Sequence, residues 1–302
     1  MFSEKSVDNA LMNQGLILNI GLFSFNIQSS IRSLSHNVTA LYQDYPDGFS
    51  EDRTRFIDFH ICVEPPNLWH KYYKGQVQFF SDGFAPFTSL PYQHAPAIIE
   101  WGMNWCVSQQ INTHLIIHAA VIEKNGFAAI MPAPPGSGKS TLTASLVQEG
   151  WRLLSDELTL IRIDNYHVSP FPRPISLKNQ SINVIKQRYP GVVFGIESTD
   201  TSKGTVVHIR PPKLSVELQG VECPVAWVIF PKYEEDAETE LTIKSKAKSL
   251  MDVADNSFNY SRLGAIGFDV LKNIIEGADC YQFRYSQLDE AIGAFAALEL
   301  PQ

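Results

Sequence analysis

The stretch "MPAPPGSGKSTL", residues 131 to 142, constrains this chain more than any other part of it. Two adjacent prolines stiffen the backbone, the glycines release it, and a helix-forming run follows from Lys139. Ala133, Gly138, Lys139 and Ser140 fit the P-loop pattern, with alanine in place of the usual first glycine. The motif sits between an apolar strand pattern and an amphipathic helix pattern, as a phosphate cradle requires. N–H groups from Gly136 to Ser140 can then converge on phosphate oxygens, helped by the positive end of the helix. Lys139 would neutralise the outer phosphates of a nucleotide, and Ser140 would offer its hydroxyl to Mg²⁺. The candidate nucleotide contacts are Ala133, Pro134, Pro135, Gly136, Ser137, Gly138, Lys139, Ser140 and Thr141. Pro134 and Pro135 have no N–H to donate and stiffen the approach. The plainer alternative is a Pro-Gly turn with an uninvolved lysine; the flanking strand and helix favour the nucleotide site.

A second element, "LLSDE", follows the helix. A carboxylate just past an apolar strand is where nucleotide hydrolases and kinases place the residue that holds Mg²⁺ or its waters. Asp156 would fill that role, and Glu157 is a candidate base for the proton of an attacking hydroxyl. Adjacent residues on a strand point to opposite faces, so both reach one site only if the strand has already ended. Otherwise Glu157 is an ordinary exposed carboxylate at a strand end.

The composition of the chain is that of an ordinary globular protein. At 302 residues, 44% hydrophobic and 19% charged, it can bury one large core or two modest ones. The net charge of −8, with no block of basic residues, argues against nucleic acid or an anionic membrane as partner. Cys62, Cys106, Cys223 and Cys280 lie far apart, so metal sites and disulfides are not expected. The N-terminus lacks the charge order of a signal peptide, and no stretch has the length of a membrane span; the cytoplasm is expected.

Residues 1 to 96 read as a small α+β region with strands at "DFHICV" and "GQVQFF" and turns at Pro46-Asp47-Gly48, Pro65-Pro66 and Asp82-Gly83. Residues 97 to 302 alternate helix and strand more clearly, giving an α/β domain. "APAIIEWGMNWCVSQQI" reads as a helix. Asn125-Gly126 marks a tight hairpin, and a helix runs from Lys139 to a stop at Gly150. "WRLLS" is a short buried strand, Asp164-Asn165 turns a second hairpin, and "PVAWVIFP" is a central strand buried on both faces. The chain closes with helix, strand ("CYQFRY") and helix, the last with Leu288, Ile292 and Phe295 on one face.

The segment "IHAAV…PGSGKSTLTASLVQEGWRLLSDE" resembles the catalytic core of the HPr kinase/phosphorylase family, whose members phosphorylate a serine of a small carrier protein. "IIEWGMNW", "HAAVIE", "GWRLLSDE", "RPISLKN", "KGTVVH" and "NSFNY" together look like the bacterial subgroup called HPr-kinase-related kinase A. The resemblance implies a P-loop kinase domain of the HPr kinase/phosphoenolpyruvate carboxykinase type and a homo-oligomer. It also implies a catalytic-site role for His118, which the residues alone read as a packed strand histidine. Lys139 and Ser140 would bind phosphate and Mg²⁺, and Glu157 would accept the proton. The subgroup's members are encoded beside a small peptide-binding protein and a nucleotidyltransferase-like protein, which points to a peptide acceptor. Two departures stand out: Asp156-Glu157 replaces the usual Asp-Asp pair, and the family's downstream metal-binding glutamate has no counterpart in "PRPISLKNQSI". Little or no phosphorylase activity is therefore expected.

Two basic stretches could complete a phosphoryl-transfer site, since positioning and charge neutralisation supply most of that catalysis. Arg173 and Lys178 flank "PISLK" in a proline-stiffened loop, and Lys203 ends "STDTSK", which reads as a mobile loop; the alternative for each is a solvated cation. Asn256 and Asn259 read as helix-end or turn residues, "EEDAETE" as a solvated turn, and Trp101 and Trp105 as core. The expected activity is Mg-ATP-dependent phosphorylation of a hydroxyl, first of all a serine in a protein or peptide. A kinase for a small molecule such as free serine, and a nucleotide-binding switch without transfer activity, are the alternatives.

Overall fold

The computed structural model describes residues 3–46, 49–50, 52–67, 69–70, 73, 75–134 and 136–300. The expected turn at Asp47-Gly48 and the candidate contact Pro135 lie outside the described residues. The chain is mixed α/β and divides into two compact units, with three sheets among the described residues. One unit comprises residues 1–107 and 174–217, and the other residues 108–173 and 218–302. This division differs from a single boundary at 96: the first unit keeps most of the helix that begins at Ala95 and takes back a later segment of the chain.

In the first unit, period-two patterns build a six-stranded sheet. Strands β1 (Leu16–Ile20) and β2 (Phe23–Gln28) form an antiparallel hairpin, with Phe23, Phe25 and Ile27 buried and the residues between them less so. β3 (Phe49–Ser50) lines the outer edge of β1, and β4 (Phe59–Glu64) runs parallel to β2. β5 (Gln76–Ser81) and β6 (Leu90–Pro91) complete the order β3-β1-β2-β4-β5-β6. Helices α1 (Glu4–Met12), α2 (Arg32–Tyr42) and α3 (Ala95–Gln110) accompany this sheet. Phe79 meets α3 at Gly102, where an added Cβ would fall 2.0 Å from the Phe79 ring.

The returning segment forms a three-stranded sheet of β12 (Ile175–Lys178), β14 (Gly204–Ile209) and β13 (Ser198–Thr201), with α5 (Gln180–Arg188) and α6 (Lys213–Glu217). Two expectations are corrected here. "PISLK" is a paired strand rather than a loop, because alternate apolar residues Ile175 and Leu177 are buried in the sheet. "STDTSK" is a strand and a tight turn rather than a mobile loop: the Lys203 N–H donates to Thr201 Oγ1 at 3.0 Å and Asp200 takes φ +58.

The second unit holds an eight-stranded sheet. Its spine is β7 (His114–Lys124), β8 (Phe127–Pro132), β15 (Val225–Tyr233) and β17 (Asp279–Tyr285), flanked by β16 (Glu240–Ile243) on one side and β10 (Leu158–Arg162) and β11 (Val168–Ser169) on the other. Strands β8, β15 and β17 are mutually parallel, so their C-terminal ends share one edge. Asn125 and Gly126 take φ +55 and +86 in the β7–β8 turn, the left-handed pair that a two-residue hairpin needs. On one face, α7 (Lys246–Asp255) and α9 (Ala265–Gly277) bury Val253, Val270, Leu271 and Ile274 against Val228 and Phe230. Each such side chain contributes roughly 1.5–3 kcal/mol.

Trp151, Trp227, Phe283 and Phe295 pack edge to face elsewhere in this unit, joining β15 and β17 to α10 (Leu288–Ala296). α8 (Tyr260–Leu263) follows Asn259, whose buried amide bonds Ile116 N and His114 O and is structural. Among the described residues no helix is long and apolar enough to cross a membrane.

Candidate functional site

The glycine loop joins the end of β8 to α4 (Lys139–Gln148), at the edge where the parallel strands end. Gly136 and Gly138 sit at φ +86 and +84, a region that side chains strain, so the turn depends on glycine. The loop is held from behind. Tyr233 N–H donates to the Ser137 carbonyl at 2.8 Å, and Tyr285 Oη donates to the Gly138 carbonyl at 3.2 Å. In a planar trans peptide the N–H points opposite to the carbonyl. The N–H groups of Gly138 and Lys139 are therefore turned away from Tyr233 and Tyr285, as an anion cradle needs.

The approach at Gly138 is close: a Cβ there would fall 2.5 Å from Tyr285 Oη and 2.8 Å from Tyr233 Cβ, whereas one at Gly136 meets nothing within 4 Å. Burial raises the Tyr285 phenol pKa, with Tyr233 adding to the effect, so it stays a protonated donor. Neither tyrosine carries a motif signal. They reach the loop only because β15 and β17 run parallel to β8.

Asp156 and Glu157 occupy the break between β9 (Arg152–Ser155) and β10. Both strands pair with β7, Ser155 opposite Val121 and Leu158 opposite His118, and the chain leaves the ladder for the two residues between. The strand has ended, so the two carboxylates are not forced to opposite faces. Asp156 is 3% exposed, and Ser140 Oγ donates to its Oδ2 at 3.3 Å. That is long for an O–H···O bond and sets a hydroxyl and a carboxylate side by side without locking them together. These are hard oxygen ligands of the kind Mg²⁺ uses, and Mg²⁺ takes few protein ligands because it keeps waters and substrate phosphates. The pair fits such an ion. Glu157 is half-buried, and Lys139, at the first position of α4, is 8% exposed.

His118 is half-buried on β7, its ring 5.7 Å from that of Phe258 and its backbone N–H donating to the Asn256 carbonyl. By register it lies one residue beyond Glu157. Arg173 is buried, with its guanidinium 5.5 Å from the Phe171 ring centroid, and is not a solvated loop cation. Lys178 and Lys203 belong to the other unit, where Lys203 Nζ sits 5.1 Å from the Trp101 ring centroid.

Against the first half of the loop lies a cavity of about 510 Å³, lined by Ala133, Pro134, Gly136 and Ser137 and by side chains from β15 and α7. Lys244 and Asp252 on its wall form an ion pair at 2.6 Å, the lysine 9% exposed. The Lys244 ammonium lies 3.4 Å from the Phe230 ring centroid. Nothing in the spacing of these residues along the chain points to them.

Residues 99–188 match the family model described as SynChlorMet cassette protein ScmC, less than a third of the chain. That span includes His118, the glycine loop, Asp156, Glu157 and Arg173. No curated protein matches. Among solved structures the chain is similar to the Hpr(Ser) kinase/phosphatase from Coxiella burnetii, at 12% identity over 60% of this chain and 91% of that one, with a TM-score of 0.27. A likeness of that degree assigns neither fold nor activity.

Proposed function

We propose that this chain is a Mg-ATP-dependent phosphotransferase that moves the γ-phosphoryl group to a hydroxyl, first of all a serine of a protein or peptide. The second unit would be its P-loop kinase domain, of the HPr kinase/phosphoenolpyruvate carboxykinase type. The observation that carries the reading is the meeting of Ser140 and Asp156 beside a glycine loop whose Gly138 and Lys139 N–H groups are turned away from Tyr233 and Tyr285.

In this reading the Gly138 and Lys139 amides hold phosphate oxygens, and the Lys139 ammonium offsets the charge of the outer phosphates. Ser140 and Asp156 would hold Mg²⁺, which supplies charge neutralisation across the phosphates when bound. Glu157, at the strand break, takes the proton from the acceptor hydroxyl as its oxygen attacks the γ-phosphorus and the bond to the β,γ-bridging oxygen breaks, releasing ADP; positioned bases of this kind are worth roughly 10²–10⁴-fold. His118 borders the same break and orients the acceptor side. The reading does not rest on Arg173, Lys178 or Lys203. A peptide acceptor, a homo-oligomer and a cytoplasmic setting belong to the same proposal.

The test is Lys139→Ala. It should abolish ATP turnover and sharply weaken ATP binding, because it removes the motif's cation. Near-normal turnover in this variant would refute the reading, and tight ATP binding by the native protein with no turnover would favour a nucleotide switch.

A further inference from the structure

We propose that Phe258 is a specificity-determining residue of the acceptor site, and that this site takes a peptide with an apolar side chain two residues from the accepting serine. This rests on the phosphotransferase reading and names the substrate class of the same site.

The neighbours of β7 change at one place along the strand. Pro132, the last residue of β8, pairs with Ala119, and there the chain leaves the sheet to form the glycine loop. Residues 256–258 take over the edge of β7 that β8 gives up. Ser257 bridges Ile117, the His118 backbone N–H donates to the Asn256 carbonyl at 2.7 Å, and the Phe258 N–H donates to the Ile116 carbonyl at 2.8 Å. On the opposite edge Leu158, directly after Glu157, pairs with His118. His118 is thus bordered by the candidate base on one side and by the Phe258 segment on the other, one residue from where β8 departs for the glycine loop.

Phe258 is held there by bonds that do not involve its ring. The next residue, Asn259, accepts from the Ile116 N–H at 2.9 Å and donates to the His114 carbonyl at 2.8 Å, which fixes the segment from a second side. The ring itself is 51% exposed and meets the His118 ring at 5.7 Å and 49°. A single exposed ring is ordinary on a protein surface, so its exposure alone says little. Its place says more: backbone pairing sets it against the histidine that orients the acceptor, with half of its surface left to cover.

The spacing selects the ligand. In an extended peptide alternate side chains share a face, and residues two apart are separated by roughly 6.6 Å. That matches the 5.7 Å between the His118 and Phe258 rings. A serine seated at His118 therefore brings the side chain two residues away onto Phe258, whereas free serine has nothing to place there. Phenylalanine has no polar handle, so what it offers is apolar contact, and the negative face of its ring disfavours a carboxylate.

Calorimetric titration of the Mg-AMPPNP-loaded protein tests this with four end-blocked peptides: Leu-Ala-Ser-Ala-Leu, Ala-Ala-Ser-Ala-Ala, Arg-Ala-Ser-Ala-Arg and Glu-Ala-Ser-Ala-Glu. The leucine peptide should bind about tenfold or more tightly than the alanine peptide, the scale expected for covering one aliphatic side chain, and the glutamate peptide least. Phe258→Ala should bring the leucine and alanine peptides within about twofold of each other, and Phe258→Leu should keep their order. Mg-AMPPNP binding by each variant reports that it is folded, and the native series decides by itself if Phe258→Ala is not.

Equal binding of the four peptides, binding of none, tightest binding of the arginine peptide through its cation, or an unchanged preference in Phe258→Ala would overturn this assignment while leaving the nucleotide reading intact. Failure of Mg-AMPPNP to bind the native protein would overturn both.

Discussion

Ser140 Oγ lies 3.3 Å from Asp156 Oδ2, tying the first turn of α4 to the end of β9. The contact joins the motif that would hold phosphate to the carboxylate that would hold the metal, and it separates the roles of two adjacent acids. Asp156→Asn should raise the Mg²⁺ concentration needed for activity with little effect at saturation. Glu157→Gln should bind Mg-ATP almost normally and lose transfer by roughly 10²-fold or more, as expected for a lost general base. A Mg²⁺ titration of both variants checks this, and identical curves would end the division of labour.

The two loop glycines should differ in their tolerance of alanine. Both require positive φ, which costs a side chain roughly 1 kcal/mol. At Gly138 the new methyl also meets Tyr285 Oη and Tyr233 Cβ. Gly138→Ala should therefore displace the loop and lower nucleotide affinity by an order of magnitude or more, typical of overpacking at roughly 1–3 kcal/mol. Gly136→Ala should cost only a few-fold. Titration with a fluorescent ATP analogue measures both, and equal losses would show that the tyrosine contacts do not hold the loop.

Stability should fall in mild acid through His114. This residue is buried, its Nε2 3.1 Å from Ser169 Oγ, whose hydroxyl donates to Glu222 at 2.6 Å. Burial first, then the Arg162 cation, lowers its pKa from 6.5 to about 4, against the opposing pull of Glu222 and Asp164. Below pH 6.5 the unfolded chain gains a proton that the folded one refuses. Stability is therefore full above about pH 6.5 and is lost as pH falls toward about 4, by an amount of order 3 kcal/mol. His114→Gln should flatten the difference in urea midpoint between pH 7.5 and pH 5, and an unchanged difference would assign the acid sensitivity to other groups.

What could be read from the chain follows from which signals are local. Asn125-Gly126, the helix from Lys139 and the strand before Pro231 announce themselves through turn chemistry and periodicity within a few residues. The alternation rule requires a strand break at Asp156-Glu157 if both are to face one site, and β9 and β10 leave one there. The return of residues 174–217 to the first unit depends on long-range pairing of short strands, one of which, "STDTSK", carries loop chemistry. Tyr233, Tyr285 and Lys244 reach the glycine loop or its cavity only through sheet order, and Arg173 is charged by sequence but buried by context. Local patterns carry none of these.

The central claim is transfer, and the most direct measurement follows label from ATP into the acceptor. The protein is incubated with Mg²⁺, a serine-containing peptide and either γ-³²P-ATP or α-³²P-ATP, and the peptide is isolated and mapped. The account predicts acid-stable phosphoserine labelled from the γ position alone, dependent on Mg²⁺ and absent in Lys139→Ala. ATP bound by the native protein with no label passed to any hydroxyl would contradict it.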